Sequence, residues 1–365
     1  MLLISVVSLL VLVVAGAARV VPKLLARGRQ GRRADELRVG LVPREQLVLL
    51  GEEPSAEAAA VLEAARAGDW RPAAAYLAEA EADAGLRWAR LGPLCKAAAE
   101  DDKWLRRWRE GEPRSAAAAL LQTDALIERA WDIRTGRLAA EVSAEQFRRF
   151  HKVLFEAEKT ALEAVELAPA QDPNPFVVQI AIAMGLGWPR EAFRALWVEV
   201  VARDPHHLRA HEGALQYWCA KWHGSHELMH SFVDAALVDA PAGSLLSVLR
   251  VQAFYEQHTR DGAPADAYRT PEFTAAVDAL LADLAQADPA RPQVQDARAW
   301  AAWGLVKNAR PAQALEQFRL MGREMAGPWR YYEDPRKVFD AMRELSLQAA
   351  ARAWVSGQRS GDMTL

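Results

Sequence analysis

From about residue 54 onward, apolar side chains recur three and four residues apart, with charged residues filling the positions between them. This is the period of a helix with one buried face, not the alternation of a strand. Alanine and leucine, both strong helix formers, dominate the pattern. No convincing alternating run interrupts it, so the pattern predicts an all-α chain. The clearest element runs from Val142 to Ala168. Ser143 and Gln146 form a capping-box pair at its start, and Pro169 ends it. Phe147, Phe150, Leu154, Ala157, Ala161 and Val165 make its apolar stripe.

The helical pattern also repeats. An Asp-Pro pair recurs at Asp172-Pro173, Asp204-Pro205, Asp288-Pro289 and Asp334-Pro335, with a relative at Asp239-Ala240-Pro241. The marks at 172, 204 and 239 lie 32 and 35 residues apart. Asp satisfies free N–H groups at a helix start and Pro suits the first turn, so each mark is expected to open a helix. Each interval has room for two helices and a short turn. A period near 34 built of helix–turn–helix units is the tetratricopeptide (TPR) signature. The stretch from Ala299 to Phe318 is the best single example: Trp300 and Trp303 supply bulk, Gly304 a close approach, and Ala314 and Phe318 the second helix. Ala67 to Ala80 reads as another second helix. The fold expected is an α-solenoid of degenerate TPR-like repeats over residues 54–355, with a disordered tail at 356–365.

The N-terminal region departs from this pattern. Leu2 to Ala18 carry no charge and approach the roughly 20 residues that span a bilayer. Residues 1–33 hold six basic side chains (Arg19, Lys23, Arg27, Arg29, Arg32, Arg33) and no acid. Positive charge stays on the cytoplasmic side, so residues 1–21 are expected to form a single transmembrane anchor of a cell-membrane protein whose body faces the cytoplasm. Cleavage near Ala15-Gly16-Ala17, as in a signal peptide, is the alternative. Residues 22–53, broken by Gly28, Gly31, Gly40, Pro43 and Gly51, read as a basic juxtamembrane segment and linker. Beyond residue 33 the chain holds 39 basic and 48 acidic residues, a net charge of −9. Such an acidic body argues against nucleic acid as a partner. Two cysteines, Cys95 and Cys219, make no disulfide framework.

Thirteen tryptophans invite a ligand-cage reading. Most lie at apolar helical positions, where core packing is expected. Trp104 and Trp108 sit in a basic stretch, Lys103 to Glu110, expected to be a short amphipathic helix across the array. Glu128, Arg129, Asp132 and Arg134 are grouped for ion pairs on one helix.

Several stretches carry a resemblance over about three quarters of the chain. They are ALIERAWDIRTG (125–136), GLGWPREAF (185–193), ARDPHHLRAH (202–211), CAKWHGSHELMHSF (219–232) and GPWRYYEDP (327–335). In these the chain resembles a family of bacterial TPR-like proteins catalogued as a domain of unknown function. The resemblance implies an α-solenoid without established enzymatic activity, and it brings no catalytic residues.

One motif points elsewhere. His226-Glu227-Leu228-Met229-His230 fits the H-E-x-x-H pattern, in which two His on one helix face bind Zn²⁺ and the Glu acts as base. Glu256 on the following helix is the natural third ligand. Against this, Ser225 reads as a helix cap, which puts His226 in the first turn, and Met229, Phe232, Val233 and Ala236 form the buried stripe. His206 and His207 belong to the start of the preceding helix, about 20 Å away. The leading expectation is therefore a membrane-anchored scaffold that binds a protein or peptide partner, with no cofactor. The alternative is a zinc hydrolase using His226, His230 and Glu256 as ligands and Glu227 as base.

Overall fold

Side-chain caps start many of the helices. Ser55, Asp83, Ser115, Ser225 and Thr270 each accept a backbone N–H three residues ahead, which satisfies a donor that a helix start would leave free. Ser143 and Gln146 complete both halves of the expected capping box. Pro lies in the first turn of five α-helices among the described residues, where its missing N–H costs nothing.

The computed structural model describes residues 33–34, 36–51, 53–135, 141–261 and 263–361. It is all-helical apart from two two-residue strands. The helices are α1 (Ala56–Arg66), α2 (Arg71–Ala78), α3 (Ala84–Glu100), α4 (Lys103–Gly111), α5 (Ala116–Arg134), α6 (Ala144–Leu167), α7 (Asn174–Leu186) and α8 (Arg190–Arg203). They continue with α9 (Leu208–Trp218), α10 (His226–Leu237), α11 (Val248–Asp261), α12 (Pro271–Gln286), α13 (Gln293–Lys307), α14 (Pro311–Leu320) and α15 (Pro335–Gly361). From α5 onward, each odd-numbered helix to α13 packs on the even one that follows it. The odd helices α3, α5, α7, α9, α11 and α13 also pack on one another in chain order, forming one inner row.

Three apolar clusters join these layers. The first centres on Leu77, Leu91, Leu120, Phe150 and Leu154, the second on Val177, Phe193 and Tyr217, and the third on Leu249, Phe273, Trp300, Trp303 and Trp329. Burying each such side chain contributes about 1.5–3 kcal/mol. The tryptophans of the expected amphipathic helix, Trp104 and Trp108, lie in α4 and are buried. Trp108 stacks on Trp70, with ring centroids 5.6 Å apart. Gly187 ends α7 in the left-handed conformation (φ 69°) that glycine adopts without penalty.

Four expectations need correction or lie out of reach. The Asp-Pro marks are not uniform caps. Asp172, Asp204 and Asp288 each accept the N–H two residues on, at 2.9–3.0 Å, and so close a turn just before the helix. Asp334, which takes the N–H of Lys337, is a helix cap. The supposed linker is ordered from residue 36: Leu41 and Leu47 are buried in the C-terminal core, because a docked segment can bury apolar side chains that a free linker would expose. Residues 356–361, expected in a disordered tail, continue α15. The expected anchor lies outside the described residues, and no described helix is long and apolar enough to cross a membrane.

Candidate functional site

The histidine motif comes first, because its residues were the sharpest chemical candidates. Ser225 caps α10 through the Leu228 N–H at 3.1 Å, so His226 is the first helical residue, as expected. Met229 and Val233 are fully buried and hold the helix to the core. His230 Nε2 lies 2.7 Å from Gln257 Oε1. Glu256 points elsewhere: it accepts from Gln216 Nε2 at 2.8 Å and from Lys221 Nζ at 2.7 Å. Consecutive helix positions differ by about 100°, so Gln257 faces α10 while Glu256 faces α9. Glu227 is exposed. The structure thus does not bring Glu256 to His226 and His230. No group of three metal-ligating side chains is assembled among the described residues.

The other histidines of this region have local structural roles. His207 Nδ1 accepts the Ala210 N–H at 3.2 Å and caps α9. His211 Nδ1 lies 3.2 Å from the His207 carbonyl, and burial pushes its pKa down to about 4. His223 Nε2 lies 2.9 Å from the Met184 carbonyl.

The inner row instead gathers charge. Asp124 and Glu128 on α5 both feel Arg209 on α9. Glu212 on α9 feels Asp296 on α13 and Arg330 in the 327–331 turn. Tyr331 in that turn feels Arg209, Glu212 and Asp296. Groups from three inner helices and one loop therefore share a single electrostatic space. Some carboxylates there have partners: Asp296 pairs with Arg330, Glu256 with Lys221, and Glu212 accepts from Gln252 Nε2 at 2.8 Å.

Asp124, Glu128 and Asp132 differ. They stand at i, i+4 and i+8 on α5, so they form one row. None has a cation within ion-pair distance among the described residues. Asp124 lies near the Cys95 thiol of α3. Burial raises the Asp124 carboxyl to about 6. Glu128 is raised by burial first and by its neighbour Asp132 second. The arginines grouped with them in the sequence go elsewhere. Arg129 reaches the Ala98 and Ala99 carbonyls at the end of α3. Arg134 lies over the rings of Trp131 and Trp222, 5.5 and 5.0 Å from their centroids. The row has a sequence signal, since three acids recur every fourth residue and Arg129 is the one base three or four residues from any of them.

A cleft of about 700 Å³ lies among residues 82–86, 204–209, 241–244 and 288–293. It lies at the N-terminal ends of α3, α9 and α13 and in the loop before α11. No family model, curated protein or solved structure matches the chain.

Proposed function

We propose that this chain is a TPR-like solenoid scaffold, held at a membrane by its N-terminal segment, which binds a cationic, extended protein segment on its concave face. The repeat reading is supported by the successive helix pairs, by the inner row, and by the Asp turns that recur at 172, 204 and 288. Support for the anchor is the uncharged run Leu2 to Ala18 followed by six basic residues. An anchor of this kind raises the local concentration of a scaffold beside membrane partners.

The observation that carries the partner's chemistry is the row Asp124, Glu128 and Asp132. Four helical residues rise about 6 Å. Two residues of an extended chain rise about 6.6–6.8 Å. A segment with Lys or Arg at every second position therefore matches the row. The aromatic pair Trp131 and Trp222 borders its far end.

A photo-crosslinking residue tests this in cells. At position 96, whose native Lys96 acts electrostatically on Glu128, it is expected to trap a discrete partner species. The trapped species should disappear when Asp124, Glu128 and Asp132 are all changed to their amides. At exposed position 159 on α6 it should trap no such species. Equal labelling from both positions, or labelling indifferent to the amides, would count against a concave-face site.

A further inference from the structure

We infer that residues 36–51 are a latch that holds the row of helices closed into a ring. The inference is independent of what the concave face binds. It starts from an asymmetry between two connections that join the ends of the array.

The direct seam is slight. Among the described residues, the first turn of α3 meets the first turn of α13 through one hydrogen bond, Gln293 Nε2 to the Gly85 carbonyl at 3.3 Å. The rest of the gap between them is the open cleft rather than packed side chains.

The latch is extensive. Leu41 and Leu47 are 2 % and 5 % exposed, in the same apolar cluster as Trp300, Trp329 and Phe339. Glu36 is buried beside Arg343 at 3.4 Å and Arg44 at 3.0 Å. Arg44 continues to Glu344 at 2.7 Å. Arg343 also donates to the Val42 carbonyl, and Arg336 donates to the Leu47 carbonyl at 2.8 Å. A parallel pair of two-residue strands, β1 (Val48–Leu49) and β2 (Glu324–Met325), follows. Val48 N–H donates to the Arg323 carbonyl and Leu50 N–H to the Met325 carbonyl, both at 2.9 Å. Glu53 then pairs with Arg323 at 2.5 Å.

Ala56, the start of α1, is only three residues along the chain from Glu53. Three extended residues span at most about 11 Å. The first helical unit must therefore lie beside the last, joined by a covalent segment that is itself packed into the last unit. Buried apolar groups and a buried ion network hold far better than one half-exposed hydrogen bond. Closure of the ring follows from the latch, and the α3–α13 seam is its consequence.

Spin labels on the full chain at positions 82 and 290, across the cleft, test the latch. Native Cys95 and Cys219 are buried and away from these sites. Wild type should give one short, narrow distance. Leu41→Asp with Leu47→Asp, with strap release verified by amide exchange of residues 36–50, should lengthen the mean distance by a helix diameter, about 10 Å, and broaden it. A second arm avoids any folding defect: a protease site placed at residues 53–55 is cut after folding. The cut should lengthen the same distance while residues 36–50 stay protected on α15. An unchanged distance in the cut protein, or in the released variant, overturns the latch.

Discussion

Gly224→Ala is expected to destabilise the fold by about 3 kcal/mol or more, because a Cβ there has no room and its neighbours cannot retreat. An ideal Cβ would lie 1.7 Å from the Trp218 carbonyl oxygen and 2.3 Å from its carbon. Both atoms are backbone, at the end of α9. The same carbonyl accepts the Ser225 N–H at 3.1 Å, and Gly224 N–H donates to the Cys219 carbonyl at 3.3 Å. Moving Trp218 would therefore break the turn that aims α10. It would also disturb the Trp218 ring, which packs edge-on against Phe193 and Tyr217. Gly92→Ala is the control: beyond its chain neighbours a Cβ there meets nothing within 4 Å, and the gain in helix propensity is offset by crowding against the following Pro93, so little change is expected. Urea denaturation of both variants checks the contrast. A Gly224→Ala protein as stable as wild type would show that the α9–α10 turn is not as described. The same experiment bears on the histidine motif, since it places the constraint in this stretch on the turn before the motif.

Asp172→Ala is expected to cost about 3–5 kcal/mol, the usual penalty for leaving a buried charge without its partner. Arg87 Nη1 lies 2.5 Å from Asp172 Oδ2, and both side chains are 7 % exposed. The other Asp172 oxygen accepts the Asn174 N–H at 3.0 Å, so one carboxylate serves both the ion pair and the turn that starts α7. The pair ties α3 to the turn that precedes α7. Replacing both partners with apolar residues, Arg87→Met with Asp172→Leu, should recover part of the loss, because no charge is then left buried. Equilibrium unfolding decides: a loss under 1 kcal/mol for Asp172→Ala, or no recovery in the double variant, would contradict this account of the interior.

Much of the helical content was legible because helical period, caps and Pro positions agree with one another. The capping box at Ser143 and Gln146 and the cap at Ser225 needed only local rules. The long-range pairings were not legible. Nothing near Leu41 or Glu36 says that their partners are some 300 residues away, and glycine breaks made that segment read as a linker. The Asp-Pro marks were readable as helix starts, but whether Asp caps the helix or closes a turn before it depends on backbone angles that the sequence does not spell out. At the candidate site, the row on α5 was present as spacing. It was masked by Arg129 and Arg134, which look like partners in the sequence and in the fold reach a helix end and two tryptophan rings. Glu256 was misplaced for a simpler reason: one position along a helix turns a side chain by about 100°.

The most direct test of the central claim is a titration of the protein with a short peptide carrying Lys at every second position. A peptide of the same composition with its lysines consecutive, and an analogue with Glu for Lys, serve as comparisons. The alternating peptide should bind best and the Glu analogue should not bind. Asp124→Asn should weaken binding about tenfold, as expected for one lost charge-assisted hydrogen bond. Because burial holds the Asp124 carboxyl at about 6, its proton is bound below that pH and lost above it. A bound cation favours the ionised form, so affinity should rise as pH increases through 6 and fall below it. Equal binding of the Glu analogue, or an affinity for the alternating peptide that ignores both pH and Asp124→Asn, would contradict the account.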